Sequence, residues 1–497
     1  MASMKRLSLE TLGALPAAVA RPAYDAHALG IGIVHLGIGA FYRAQSAEYT
    51  DDALARKPGP WGICGVSLRS AEVRQRMAPQ DGLYTAVEKS PAGVRRRVIG
   101  SVRELLFLGE QRGDVHARMA AATTAIVSLT VTEKGYCHDP ATGQLNFAHP
   151  DIVHDLASPQ SPVSAVGLLV HALASRRASH GAPLTVLCCD NLPHNGALVR
   201  GLVMALAQAR DEGLASWIAQ RARFPSTMVD RIVPATTDAD VADNDAALGV
   251  HDAAPVMHEP FKQWAIEDDF AGGRPAWEAV GVQLVADVAP FEAMKLRLLN
   301  ASHSAFAYLG FLAGHEFIYQ VAAQEAFARY MRALMRDEVA PTLRIPAGVD
   351  VAAYQQALLE RFRNPALPHR TQQIAMDGSQ KLPQRLLGTV RDNLAADRPI
   401  DLLALAIAGW MRYVAGTDEA GRDIRVADPM ATDFARVSAA HRGDPSALAR
   451  GLLALRAIFS DDLGADPRFA GKVTRWLAAL YAEGAARTVQ RAVAEHR

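Results

Sequence analysis

Apolar positions along this chain follow two different rhythms. Up to about residue 290, short unbroken apolar runs alternate with longer stretches of helical periodicity. The clearest runs are Ile31–Leu36, 62–66, 125–131 (AIVSLTV) and 184–189 (LTVLCC), with a late one at 282–286. Runs that are apolar at every position suit parallel strands covered on both faces. A glycine turn follows the first run, and the spacing predicts a helix over 40–56. Such alternation implies a doubly wound α/β sheet of the Rossmann-like kind. Beyond about residue 290 the strand rhythm stops. Residues 294–311, 318–336, 351–363, 402–414, 446–459 and 473–496 all read as helices. Pro290 punctuates the change, in a boundary placed at 286–291. The expected organisation is an α/β nucleotide-binding domain over 1–288 and a mainly α-helical substrate-binding and catalytic domain over 289–497.

Composition narrows the partners. The chain has 497 residues, 50% of them apolar, with 52 basic and 52 acidic side chains. That balance leaves no electrostatic footprint for nucleic acid or an anionic membrane, so an anionic substrate needs a local basic site. The four cysteines form no C-x-x-C pair, and on a strand the adjacent Cys188 and Cys189 point to opposite faces. No ordinary zinc site is read from them. So few cysteines suit a reducing cytoplasm. The first fifteen residues carry no signal-peptide pattern, and the apolar stretch 402–411 is too short to span a bilayer. The expected protein is cytoplasmic, with a small-molecule substrate, no nucleic-acid or membrane partner, and an oligomeric state left open.

The first strand leads directly into His35-Leu-Gly37-Ile-Gly39-Ala-Phe41-Tyr-Arg43. Gly37 can supply an unusual backbone angle, and Gly39 can let the main chain approach a pyrophosphate at a helix N-terminus. Arg43 would add a charge-assisted contact. Tyr42 stands where a third glycine is usual, and two glycines also serve a plain strand–helix turn. After the second strand, Glu72 would hold the ribose hydroxyls of NAD, while Arg69 keeps NADP open. A solvated loop of mixed charge accounts for both equally well.

The sharpest constellation is Lys295-Leu-Arg-Leu-Leu-Asn300-Ala-Ser-His303. At about 100° per residue, Lys295 and His303 lie some 80° apart and Asn300 and His303 some 60° apart. One helix face then carries an amine, an amide and an imidazole. Oxidising an alcohol requires a base for the hydroxyl proton, and burial or a neighbouring charge can bring a lysine toward about 7–8. Asn300 can bond the developing alkoxide, and His303 can orient hydroxyls. An amphipathic helix with these groups in solvent fits the same letters. A second cluster, Asp190-Asn191-Leu-Pro-His194, follows the LTVLCC strand, where doubly wound sheets place their sites; Asn191 offers a second donor, unless the segment is only a turn. Glu133, after another strand, has the same two readings.

At these residues the chain resembles the mannitol dehydrogenase family of polyol-specific long-chain dehydrogenases/reductases. The matching segments are 33–44 (IVHLGIGAFYRA), 126–137 (IVSLTVTEKGYC), 189–196 (CDNLPHNG), 224–234 (FPSTMVDRIVP) and 294–310 (MKLRLLNASHSAFAYLG), in order along nearly the whole chain. The resemblance implies Lys295 as general base, Asn191 and Asn300 as oxyanion donors, His303 as helix histidine, Asp230 and Lys381 as substrate contacts, and no metal. It places Gly37, Gly39, Phe41, Arg43 and Glu72 around NAD, with NADP open because Glu72 replaces a more typical Asp. The segment 369–385 and 408–413 (AGWMRY) resemble the fructuronate reductase branch, which reduces a keto-uronate to D-mannonate. A substrate carboxylate would then meet Arg370 or Arg385 beside Lys381, although these basic residues also fit structural roles. CDNLPHNG also resembles mannitol 2-dehydrogenases, which act on D-mannitol and D-fructose, but the uronate branch is the favoured reading. A rival of another class is a dinucleotide or sugar sensor without catalysis, which would have no use for a base.

Overall fold

The structure, a computed structural model, describes residues 4–139 and 142–496. Contacts divide it into two compact units, Met1–Ala289 and Pro290–Arg497.

The first unit is built on a six-stranded, wholly parallel sheet. Its spatial order is Val102–Phe107, Gly62–Ser67, Ile31–Leu36, Ile126–Leu129, Leu184–Cys188, Ala222–Arg223. Numbered along the chain that is 3-2-1-4-5-6, the doubly wound arrangement expected from the alternation. The central strands are buried at nearly every position because apolar clusters cover both faces; Cys188 lies in one cluster and Cys189 in the other. Val102–Phe107 escapes the apolar-run rule because it is an edge strand, with Arg103 and Glu104 half-buried. Two three-stranded sheets are added. One pairs the hairpin Tyr84–Ser90/Gly93–Ile99 with Val256–His258, and the other joins Thr227–Asp230, Gln263–Glu267 and Gln283–Val285. The late strand therefore belongs to a small sheet, not the main one. The predicted 40–56 helix is interrupted at Gln45 (φ −116°, ψ −85°), giving Ala40–Ala44 and Ser46–Arg56.

The second unit is mainly helical. Its predicted helices are mostly present but more divided. The 473–496 helix breaks at Gly484 (φ +79°) into Pro467–Glu483 and Ala485–Glu495, and 446–459 becomes Pro445–Leu453 and Arg456–Gly464. Three segments, Lys295–Asn300, Leu334–Val339 and Pro383–Leu387, are π-helical turns with i→i+5 bonding. No helix is long and apolar enough to cross a membrane among the described residues.

The unit's most buried helix, Asp401–Val414, is capped from outside. The Glu338 carboxylate accepts the amides of Leu402 and Leu403, both at 2.8 Å. Burial nevertheless pushes this carboxyl up to about 7 from an ordinary 4.5. The folded state thus holds this proton more tightly than the unfolded chain. Its stabilising share is complete below about 4.5 and is lost as pH rises through about 7. Glu338→Gln is expected to flatten that part of the profile: urea midpoints measured from pH 5 to 8 should fall less in the variant. Equal slopes would remove Glu338 as their source.

Candidate active site

The glycine turn sits at the carboxyl end of the central strand. Gly37 has φ +96°, and a Cβ there would collide with the Thr130 carbonyl. Its amide bonds Val66 O at 2.8 Å, which joins the turn to the second strand. Gly39 is extended and caps Ala40–Ala44, and a Cβ on it would meet nothing nearer than Gly37 O at 3.8 Å. The backbone is thus exposed on one side where a phosphate can approach closely, so the turn fits a dinucleotide. Gly39→Val should fill this space without touching neighbours. The expected result is at least about tenfold weaker dinucleotide binding by calorimetry, with an unchanged melting temperature in the ligand-free protein.

His35 explains the missing third glycine. Its ring contacts Ser128 Oγ and Thr130 Oγ1, each at 2.9 Å, and Gly37 O at 3.1 Å. Tyr42 stacks on it with ring centroids 3.3 Å apart. Burial pulls the imidazole down to about 3, so it is neutral and structural. A glycine at position 42 would remove the stacking partner. Nothing local in the sequence reveals the role of His35, because its contacts are made across to the neighbouring strand.

The expected phosphate contact of Arg43 does not match its position. The side chain is buried, donates to Ala254 O at 2.5 Å and lies over the Tyr84 ring. Helix geometry turns it toward the small sheet, so it serves packing instead. Phe41 is half-buried against the cluster containing Ile33, Ile38 and Tyr42. Glu72 opens the helix Glu72–Met77 after the second strand and is exposed, paired with Arg76 at 2.5 Å.

Asn191 lies exposed on the loop after Leu184–Cys188, on the same sheet edge. Its neighbour Asp190 anchors that loop: its carboxylate accepts from the Val131 and Thr132 amides at 2.9 and 3.1 Å and from the Tyr136 hydroxyl at 2.5 Å. Burial raises the Asp190 carboxyl, while those donors hold it down. Fully buried Asn195 completes the frame. Its amide group donates to Asp190 O and Thr227 O and accepts from Thr227 N. This ties the Asn191 loop to Thr227–Asp230, whose last residue, Asp230, is buried. Arg231 then fixes the strand end through Glu48 at 2.7 Å and Glu259 O. Glu133 is exposed on the short turn Glu133–Tyr136.

In the second unit, the Lys295-to-His303 stretch departs from α geometry. Ala301 N–H bonds Leu296 O, five residues back. In an α-helix, residues five apart point about 140° away from each other; a π turn closes on them instead. Lys295 and Asn300 are such a pair, so the widened turn brings amine and amide toward one face. The shift of bonding partners at a π turn leaves carbonyls in need of donors, and Arg385 supplies one, bonding Asn300 O at 3.2 Å and Ser304 Oγ at 3.0 Å. Both Lys295 and Asn300 are half-buried.

His303 packs between Phe362 and His369, at centroid distances of 5.2 and 5.6 Å. Burial, then the charges of His369, Arg385, Arg361 and Lys381, hold it well below the usual imidazole range. It is therefore a neutral donor or acceptor, and its Nε2 has no hydrogen-bond partner among the described residues. Lys381 is brought down to about 8, by burial and then by Arg385, and donates to Ile374 O at 3.2 Å. Arg370 is not part of this cluster: it is exposed, paired with Glu316 and stacked on Phe317. His369, its chain neighbour, faces His303 instead, because the backbone pairs Phe317 with Arg370 and turns alternate side chains apart.

A parallel sheet in 3-2-1-4-5-6 order with a glycine turn open to phosphate, followed by a helical unit bearing an amine–amide–imidazole set, defines a dinucleotide-dependent dehydrogenase fold. Comparison with known proteins agrees. Residues 31–279 match the mannitol dehydrogenase Rossmann domain and residues 287–481 the mannitol dehydrogenase C-terminal domain. The chain belongs to the mannitol dehydrogenase family, whose members are oxidoreductases acting on CH–OH groups. It is 48% identical to D-mannonate oxidoreductase of Escherichia coli, over 94% of this chain and 96% of that one. It is 39% identical to mannitol 2-dehydrogenase of Pyricularia oryzae, over 95% of each. The mannitol 2-dehydrogenase of Pseudomonas fluorescens, solved with NAD and D-mannitol, superposes with a TM-score of 0.86 at 38% identity, covering 99% of this chain and 100% of that one.

Proposed function

We propose that this protein is an NAD-dependent, zinc-independent reductase that interconverts an open-chain keto-uronate and its alcohol, with D-fructuronate and D-mannonate the favoured pair. The observation that carries this reading is the cationic surround of His303: Arg385, Arg361 and Lys381, with His369 against the ring. Such a set is suited to a substrate carboxylate. The 48% identity to D-mannonate oxidoreductase supports it.

NAD, when bound, supplies the hydride acceptor for alcohol oxidation and, when reduced, the donor for ketone reduction. Gly37, Gly39, Phe41 and Glu72 are the residues to hold it, with Glu72 on ribose hydroxyls. Lys295 takes the hydroxyl proton during oxidation and returns it during reduction. Asn300 donates to the oxygen where negative charge develops, and Asn191 is the second amide donor assigned to that role. Neutral His303 orients a neighbouring hydroxyl, Asp230 accepts from another, and Lys381 holds the carboxylate. The four cysteines are free and the protein is assigned to the cytoplasm.

The deciding experiment measures NADH and NADPH oxidation with D-fructuronate, D-tagaturonate and D-fructose side by side. Preference for D-fructuronate with NADH is expected. Preference for D-fructose would favour mannitol 2-dehydrogenase activity, the reading supported by the 0.86 superposition. Binding without turnover on all three would favour a sensor.

A further inference from the structure

We propose that Cys137, His149 and Asp151 form a binding site for a zinc-class divalent cation, distinct from the residues assigned to catalysis. One ligand atom from each lies within 4.8 Å of the other two. No short motif signals the set, since 11 residues separate the cysteine from the histidine. The chain brings them together by sewing the loop closed. Asn146 N–H bonds Cys137 O at 2.9 Å, and His149 N–H bonds Asn146 O at 3.0 Å. Pro150 then starts the helix Pro150–Ala157, with His149 as its cap and Asp151 in its first turn.

The local features suit a metal. Cys137 adopts φ +52°, a left-handed conformation that a non-glycine residue keeps only when its surroundings impose it. Its side chain is buried, while His149 and Asp151 reach solvent, which leaves an entry path. Burial and then the carboxylates of Asp151 and Asp155 push the Cys137 thiol up to about 11, against Arg69, so a cation has to displace its proton. Asp155 is committed to Val163 N and Ser164, so Asp151 is the carboxylate available to a cation. His149 Nδ1 accepts a long bond from Asp151 N, 3.2 Å, which a metal would replace. A thiolate, an imidazole and a carboxylate select zinc or cobalt over magnesium or calcium, which require oxygen ligands. Binding converts Cys137–SH to a metal thiolate and releases one proton to solvent.

Cobalt(II) is the probe. The full-length protein, dialysed against chelator, is titrated with Co2+ and followed by absorbance. One equivalent should give a thiolate-to-cobalt band in the near ultraviolet and tetrahedral bands in the visible, both erased by Zn2+. Cys137→Ser should abolish the near-ultraviolet band. His149→Ala, at a half-exposed position that packing does not require, should weaken Co2+ binding at least about tenfold. No band in the wild type, a band surviving in Cys137→Ser, or unchanged affinity in His149→Ala would overturn the site. Turnover should be the same before and after chelation; turnover that tracked metal content would overturn its separation from catalysis.

Discussion

Lys295→Ala is expected to lower kcat by at least about 10²-fold, the low end for removing a general base. The loss should fall on kcat and kcat/KM together while dinucleotide affinity stays near wild type, because the amine acts on the moving proton and the glycine turn holds the cofactor. Lys295→Arg should be no rescue, since a guanidinium does not give up its proton near neutral pH. Partial recovery of Lys295→Ala by added primary amines, rising with amine basicity, would confirm the role. A variant turning over at near-normal rate would exclude Lys295 as the base, and the proton would have to be assigned elsewhere. Lys381 is then the first alternative, as an amine already brought down to about 8.

Lys381→Met should cost about 10- to 100-fold in kcat/KM with a keto-uronate, the worth of a charge-assisted bond of about 1.5–3 kcal/mol. With a neutral ketose the change should be small. The two substrates should also differ in pH dependence. Lys381 is charged below about 8 and neutral above it. The KM for a keto-uronate should therefore rise as pH passes 8, while that for D-fructose stays level. Lys381→Arg should abolish the rise. Equal KM profiles for both substrates would remove Lys381 from carboxylate recognition.

The parts of this molecule that sequence made legible are those governed by local rules. Central strands buried on both faces announce themselves as unbroken apolar runs, and Gly37 is required by its own backbone angle. The Val102–Phe107 edge strand and the hairpin Tyr84–Ser90/Gly93–Ile99 were illegible because half their residues meet water and carry charge. Arg43 and Arg370 show the limit for single side chains. Both stand in suggestive motifs, yet one packs onto Ala254 O and the other pairs with Glu316. Their direction depends on partners far away in sequence. His369 and Asn195 were missed for the same reason: their roles exist only across contacts that no spacing rule encodes.

The widened turn between Lys295 and Asn300 also constrains how this chain can vary in length. A π turn holds one residue more than the α-helical turn it replaces. Deleting one residue from Leu296 to Leu299 would let ordinary winding resume with amine and amide four positions and about 40° apart, whereas inserting one more residue would swing everything downstream by about 100° relative to Lys295. After such an insertion Asn300 and His303 would keep their neighbours in sequence but lose their bearing on the amine. An added residue is therefore far less tolerable here than the loss of one, which the π turn can give up by returning to α geometry.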